Sequence, residues 1–87
     1  MSVRDKMEAT PNAATNRKAS QWIRFRLASN VGKLRQSRGY TQEELAAHCC
    51  MHKSYIGNVE QGTINITLAS LEALATGLGC TEWELLK

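Results

Sequence analysis

Apolar residues recur at helical spacing from about residue 20 onward. The first set repeats at intervals of four, four and three residues and comprises Ile23, Leu27, Val31 and Leu34. This spacing predicts one buried stripe on a helix, and Gly39 is well placed as the left-handed residue that ends it. A second set, from Leu68 to Leu78, predicts the apolar face of a later helix.

Threonine marks the predicted starts of three further helices, at Thr41, Thr67 and Thr81. Thr41 and Thr81 are each followed three residues later by glutamate, which is the spacing of a capping box. Glycine follows the apolar runs at Gly62 and Gly79, where it can end a helix. These signals predict short helices with well-defined ends.

The pattern as a whole predicts an all-α fold with no strand. Five helices are expected, at about 20–37, 42–49, 53–61, 68–78 and 82–87. Only about three residues join the second and third helices, which is the helix-turn-helix arrangement. Residues 1–19 are polar and lack an apolar period, so they are predicted to form a flexible basic arm before a single domain at 20–87.

The third predicted helix has two chemically different sides. At 100° per residue, Tyr55, Ile56 and Val59 fall on an apolar side that is expected to pack inward. The opposite side carries a cation, a hydroxyl group, two amides and a glycine: Lys53, Ser54, Asn58, Gln61 and Gly57. Hydrogen-bonding groups on an exposed helix face suit the reading of base edges in a DNA major groove.

The turn before this helix contains the sequence "CCMH", residues 49–52. Cys49 follows Leu45 by four residues and is therefore predicted to point into the core as a small hydrophobe. Met51 is expected to fill the space beneath the turn. Cys50 is expected to occupy the position that needs a positive φ.

Histidine and cysteine are also metal ligands, and His48 and His52 flank the two adjacent cysteines. A bend separates the two histidines, and structural zinc sites usually space their cysteines two to four residues apart. A packing role is therefore favoured over a metal site, and no metal or cofactor is predicted. A redox role for Cys50 is a second hypothesis, because a helix N-terminus favours the thiolate.

Charge is distributed unevenly along the 87 residues. Residues 1–38 carry nine lysines and arginines against two acidic residues, a net +7, whereas residues 39–87 carry two lysines against six glutamates, a net −4. A basic half is typical of proteins that bind nucleic acid, although a solvated face that aids solubility fits the charge equally well. The chain lacks a membrane-length apolar run, a secretory signal and a disulfide pattern, so a cytoplasmic, nucleoid-associated location is expected.

The stretch "GYTQEELAAHCCMHKSYIGNVEQG", followed by "TLASLEALATGLGCTEWELL", resembles the Cro/C1-type (XRE-like) helix-turn-helix family of bacterial and phage repressors. The resemblance covers about residues 27–86, and within the family the chain is similar to the small controller proteins of restriction–modification systems. It implies a five-helix lambda-repressor-like domain that binds a palindromic operator in double-stranded DNA as a homodimer and regulates transcription. No enzymatic activity is expected, since these residues assemble no nucleophile, base and oxyanion donors. No small-molecule effector is expected, since the sequence predicts no second domain to hold one.

The resemblance also implies roles for individual residues. Lys53, Ser54 and Asn58 would face the bases, and Gly57 would let the helix lie close to them. Two residues of the first and third helices, Arg35 and Glu60, match a family pair that forms a partly buried salt bridge.

Phosphate contacts are expected around the same surface. Gln42 would hold a backbone phosphate and brace the recognition helix. Further candidates are His52, Gln61, Arg17 and Lys18. Arg24, Arg26, Lys33 and Arg38 are weaker candidates for the same role.

The sequence departs from the family pattern at three places. Cys50 stands where glycine is usual, and a left-handed non-glycine residue costs about 1 kcal/mol. His52 replaces the usual Ser or Thr helix cap. The loop 63–66, "TINI", carries none of the Lys or Arg residues that often contact phosphates in this family.

The last predicted helix, "TEWELLK", presents more apolar surface than the terminal helix of a monomer needs. Leu85 is expected to pack internally, and Trp83 and Leu86 are the predicted dimer contacts, with closure of the core as the alternative. Trp22 and Phe25 lie off the stripe of the first helix and are expected to pack against the arm, with a contact to a partner protein as the alternative. The alternative function is a protein-interaction module of the same fold, of the antitoxin or bridging-factor type.

Overall fold

The computed structural model describes the chain from residue 13 onward, with side chains from residue 21. That part of the chain is helical, with no strand, and its five helices are α1 (Ala13–Ser37), α2 (Gln42–Cys49), α3 (Lys53–Gln61), α4 (Leu68–Leu78) and α5 (Glu82–Leu86). The predicted all-α fold is confirmed, and the bounds of α2, α3 and α4 coincide with the predicted ones. None of the described helices has both the length and the apolar character to cross a membrane.

The first helix begins earlier than predicted, at Ala13 rather than at residue 20. The preceding segment, "AATNRKAS", is rich in alanine, which favours a helix without any apolar face. Residues 13–19 of the expected flexible arm are therefore helical in the structure. Residues 1–12 lie outside the described part of the chain.

The predicted helix starts are confirmed in atomic detail. The Thr41 hydroxyl accepts a hydrogen bond from the backbone N–H of Glu44 (3.0 Å), and the Thr41 N–H donates to the Glu44 carboxylate (2.8 Å). Thr81 and Glu84 form the same reciprocal box at the start of α5. The hydroxyl of Thr67 accepts from the N–H of Ser70 at the start of α4. Each box satisfies backbone donors that a helix N-terminus otherwise leaves without partners.

The core forms where the five helices meet. Each helix contributes one side chain with 0% exposure, and these are Val31, Leu45, Ile56, Leu74 and Leu85. Full burial of a Leu or Ile side chain contributes about 1.5–3 kcal/mol. The short helices α2, α3 and α5 are therefore held by shared tertiary packing more than by their own hydrogen bonds.

Two residues of the predicted apolar faces are not buried. Ile23 is 51% exposed and Leu68 is 84% exposed. Ile23 precedes Leu27, the first residue of the α1 stripe that the other helices cover. Leu68 lies in the first turn of α4, at the flank of the stripe centred on Leu71 and Leu78. The apolar pattern thus extends beyond the surface that the fold buries.

Side chains from α1 and the turn after it reach the C-terminal ends of three other helices. Asn30 Nδ2 donates to the backbone carbonyl of Leu85 in α5 (2.9 Å), and Arg38 Nε donates to that of Leu78 in α4 (2.7 Å). Arg24 Nε donates to the backbone carbonyl of Gly62 at the end of α3. The last carbonyls of a helix lack partners within it, so these donors stabilise the helix ends and join them to α1.

Candidate nucleic-acid interface

The turn between α2 and α3 sets the crossing of the two helices. Cys50 ends α2 with φ 56° and ψ 44°, which confirms the positive φ predicted for it. The backbone N–H of Met51 donates to the carbonyl of Ala46 (2.8 Å), and Met51 packs against the core. Cys49 is 7% exposed and points inward, as predicted. The turn is therefore a packed, hydrogen-bonded corner.

The two sides of α3 have the environments that its sequence predicts. Ile56 and Val59 are 0% and 2% exposed, and they attach the helix to the core. Lys53, Ser54 and Asn58 are all exposed. Gly57 is half-buried between them, and a Cβ built on it would lie 3.7 Å from Gln42 Oε1. Gln61 is exposed at the end of the helix. The predicted base-contacting residues thus share one solvent-facing side.

The N-terminus of α3 carries no side-chain cap. His52 occupies the N-cap position with φ −78° and ψ 147°, and its imidazole makes no capping hydrogen bond. The imidazole is exposed next to Lys53. Helix N-termini bind anions through their N–H groups and dipole, so an uncapped start beside a cation suits a phosphate.

Arg35 and Glu60 form the salt bridge that the family resemblance implies. Arg35 Nε lies 2.6 Å from Glu60 Oε2, Arg35 NH2 lies 3.2 Å from Oε1, and the side chains are 14% and 12% exposed. Arg35 NH1 also donates to the backbone carbonyl of Tyr40 (2.7 Å). The hydrogen bond between the Arg35 and Glu60 side chains raises the pKa of the Arg35 guanidinium above its ordinary value. The pair joins α1 to the back of α3.

Gln42 completes this network from the start of α2. Its Nε2 donates to Glu60 Oε1 at 3.1 Å. Gln42 therefore braces α3 by a direct contact, and its phosphate contact stays a prediction. An amide nitrogen carries two N–H groups, so a second donor stays available on the same side chain.

The predicted cations around this surface differ in what they contact. Arg17 and Lys18 lie in α1, but their side chains fall outside the described ones. Arg26 and Lys33 are exposed. Arg38 and Arg24 donate to backbone carbonyls, Arg38 to Leu78 and Arg24 to Gly62. The sequence reasoning missed these two contacts, and no signal within the sequence links partners about 40 residues apart.

Two of the four cysteines and histidines around the turn, His48 and Cys49, pack against other residues, whereas Cys50 and His52 are exposed. His48 stacks on Tyr40, with ring centroids 4.5 Å apart and planes at 28°. Burial raises the pKa of the Cys49 thiol, which keeps it protonated. Cys50 is exposed, and all three cysteines are free thiols. No three His, Cys, Asp or Glu side chains among those described approach closely enough to hold a metal.

The predicted dimer contacts lie at the C-terminal end of the chain. Trp83 is 70% exposed, Leu86 is half-buried and packs on the core, and Leu85 is fully buried as predicted. Leu86 also lines an apolar groove of ≈ 390 Å³, together with Ile23 and Leu68. Ile23, Leu68 and Leu86 therefore share the side where α1, α4 and α5 meet.

Trp22 and Phe25 are both largely exposed, at 61% and 50%. The ring of Phe25 lies against Gly62, just after α3, which is a contact that the sequence does not predict. Any contact of either side chain with residues 1–12 lies outside the described chain.

Comparison with known proteins shows which family this chain resembles in sequence and in structure. The HTH_3 family model, described as helix-turn-helix, matches residues 31–85. Over 66 residues the chain is 38% identical to a hypothetical transcription factor of Neisseria meningitidis, a match that covers 76% of this chain and 62% of that protein. Over 65 residues it is 35% identical to the control protein C.BamHI of Bacillus amyloliquefaciens, covering 74% of this chain and 80% of the other. The crystal structure of the restriction–modification controller protein C.AhdI from Aeromonas hydrophila superposes with a TM-score of 0.69 at 34% identity, covering 71% of this chain and 94% of that one.

Proposed function

The chain belongs to the HTH_3 (XRE-like) helix-turn-helix family of DNA-binding transcription regulators, and we propose that it binds a specific duplex DNA sequence as a homodimer. In this proposal α3 lies in the major groove. The bound site is an operator whose two half-sites are related by the twofold axis of the dimer. The regulation follows from occupation of that operator.

The observation that carries the proposal is the outward face of α3. Lys53, Ser54 and Asn58 are exposed together, while the reverse of the helix is fixed by buried Ile56 and Val59. A lysine donates to guanine O6 and N7, an asparagine pairs with adenine N6 and N7, and a serine serves either base. Gly57 adds no side chain between these donors, so the helix can approach the base edges closely.

Phosphate contacts supply most of the affinity of such a complex. Gln42, His52 and Gln61 border the outward face of α3, and we assign them to the DNA backbone. Arg17 and Lys18 extend this set along α1. Replacing both Arg17 and Lys18 with glutamine should make the plot of log affinity against log salt shallower by about two, since each phosphate contact contributes about 0.9 to the size of the slope. An unchanged slope would remove these two residues from the interface.

A homodimer follows from the size of the reading surface. One nine-residue helix reads too few base pairs for high specificity, and two copies place two such helices about one DNA turn apart. Trp83 and Leu86 are the proposed contacts, because Trp83 is largely exposed and Leu86 lines the groove that contains Ile23 and Leu68. Trp83→Ala should shift the protein towards a monomer in sedimentation at tens of micromolar. A wild-type monomer at that concentration would contradict this assignment.

Selection of bound sequences from a random duplex pool tests the proposal directly. The expected product is an enriched sequence with an inverted repeat and a half-site spacing near one helical turn. Recovery of unrelated sequences, with the affinity set by salt alone, would contradict it.

The exposed Trp22 gives some support to the second candidate function, a protein-interaction module. Stable co-purification of one partner protein that is lost in Trp22→Ala, with no DNA sequence selected, would favour that function instead.

A further inference from the structure

The end of the recognition helix is held by a side chain from outside the helix-turn-helix unit. Arg24 of α1 donates from Nε to the carbonyl oxygen of Gly62 (3.1 Å) and from NH1 to Asn65 Oδ1 (3.0 Å). Gly62 is the left-handed residue that ends α3, with φ 73°. One guanidinium group thus bridges the C-terminus of α3 and the loop that follows it.

Phe25, the residue after Arg24, covers the same end of α3 at Gly62. A Cβ built on Gly62 would lie 2.6 Å from Cδ1 and 3.0 Å from Cε1 of Phe25, so the ring rests directly on the glycine backbone. Gly62 is buried, although it lies at the end of a helix near the surface. A side chain at this position would be strained by the positive φ and would displace the Phe25 ring, so glycine is favoured here.

The end of α3 at Gly62 is also linked to Asn58, one of the proposed base-contacting residues. The backbone N–H of Thr63 and its hydroxyl both donate to the carbonyl of Asn58, at 3.2 and 3.1 Å. Arg24 and Phe25 contact Gly62, which is followed directly by Thr63. Thr63 in turn donates its hydrogen bonds to Asn58. The position of the Asn58 turn therefore depends on the end of the helix being held.

Ile64 and Ile66 of the loop pack against the core, and Arg24 brings a charged group to Asn65 between them. Residues 63–66 contain no charged side chain. A guanidinium is a planar, rigid donor, and a cation at a helix C-terminus is favoured by the helix dipole. Arg24 and Phe25 both precede residue 31, where the match to the family model begins. This part of α1 supplies the loop with a charged group from outside the residues that the family model matches.

We propose that Arg24 and Phe25 are positioning residues that set the orientation of the C-terminal half of α3, and thereby the discrimination between DNA sequences. The inference rests on the proposed function, and it assigns neither side chain a direct contact with DNA. It places a determinant of specificity on α1, outside the recognition helix.

The test compares six variants, two at Arg24, two at Phe25 and two controls, on the sequence that the wild type selects and on a scrambled duplex, at several salt concentrations. Arg24→Gln removes both hydrogen bonds, and Arg24→Lys keeps the charge but loses the planar fork. Arg26→Gln is the control for charge, since it removes a neighbouring exposed cation. Asn30→Ala is the control for stability, since it removes a hydrogen bond from the same helix to the distant Leu85 carbonyl.

Both Arg24 variants should lose about tenfold (about 1.4 kcal/mol) in affinity for the selected sequence, with little change on the scrambled duplex and no change in salt slope. Amide hydrogen exchange at Gly62 and Thr63 should become faster in both. Phe25→Ala should act in the same direction, and Phe25→Leu should restore part of the loss because it still covers Gly62. Arg26→Gln and Asn30→Ala should preserve the affinity ratio between the two duplexes.

Three results would overturn the inference. One is full binding by Arg24→Lys with a salt slope lower by about one in Arg24→Gln, which would make Arg24 a phosphate contact. Another is an equal loss of discrimination in Asn30→Ala, which would reduce the effect to global stability. The third is wild-type discrimination in every Arg24 and Phe25 variant. If the wild type selects no sequence at all, the proposed function fails first, so the two failures are distinguishable.

Discussion

The guanidinium of Arg35 and the carboxylate of Glu60 meet through two hydrogen bonds, at 2.6 and 3.2 Å, behind the face of α3 that points to solvent. The same carboxylate accepts a hydrogen bond from Gln42 in α2. Side chains from α1 and α2 therefore both bind one carboxylate of α3. The arrangement fixes the rotation of α3 about its axis, which decides which side chains face outward.

Arg35→Ala and Glu60→Ala should each destabilise the protein by about 2–3 kcal/mol, because each leaves a partly buried charge without its main partner. The double variant should lose less than the sum of the two, by about 1–2 kcal/mol, because residues in direct contact are energetically coupled. Urea unfolding of the four proteins measures this coupling. Additive losses would mean that the pair contributes nothing beyond two independent side chains.

Cys50→Gly should stabilise the protein by about 1 kcal/mol, because glycine adopts φ 56° without the steric cost that a Cβ adds. Gly39→Ala is the converse control. Gly39 has φ +75°, and a Cβ there would have no neighbour within 4 Å, so the substitution measures the backbone cost alone. Thermal unfolding should give shifts of opposite sign. A destabilised Cys50→Gly would show that the thiol makes a favourable contact that outweighs the strain.

The capping boxes should weaken in acid. The hydrogen bond from the Thr41 backbone lowers the pKa of Glu44, and the one from the Thr81 backbone lowers that of Glu84. A carboxyl with a lowered folded-state pKa contributes stability that is fully present above its unfolded pKa of about 4.3, and that stability is lost as the pH falls through the folded value.

The stability difference between wild type and Glu44→Ala should therefore be constant from pH 7 to about pH 5 and shrink below that. Glu43→Ala, in the same first turn but outside the box, is the control for the helix dipole. Denaturant midpoints over this pH range give the comparison. A difference that grows on acidification would rule out the charged form of Glu44 as the capping species.

Local features of this fold were predictable from the sequence because their causes are local. Thr41 and Glu44 are three residues apart, and the box they form needs no other part of the chain. The positive φ of Cys50 likewise follows from the length of the turn. The separation of Ile56 and Val59 from Lys53 and Asn58 follows from helical periodicity alone.

Contacts between distant segments were not predictable in the same way. Gly77 is half-buried in α4, and its Cα leaves room for the thiol of Cys49 from α2. Nothing near Gly77 in the sequence indicates that partner. The exposure of Leu68 depends on which part of α4 the other helices cover. Arg24 reads as one of several cations until the fold brings it to the end of α3.

The central claim is that the outward face of α3 distinguishes DNA sequences. Its most direct test is the affinity of the triple variant Lys53→Ala, Ser54→Ala, Asn58→Ala for the selected operator and for a scrambled duplex. The matched control replaces Lys33, Ser29 and Gln36 with alanine. These residues are exposed on α1, and their replacement removes the same chemical groups, namely one charge, one hydroxyl and one amide. The α3 variant should lose about a hundredfold or more of its preference for the operator, while the α1 control should keep it. Full preference in the α3 variant would contradict the account.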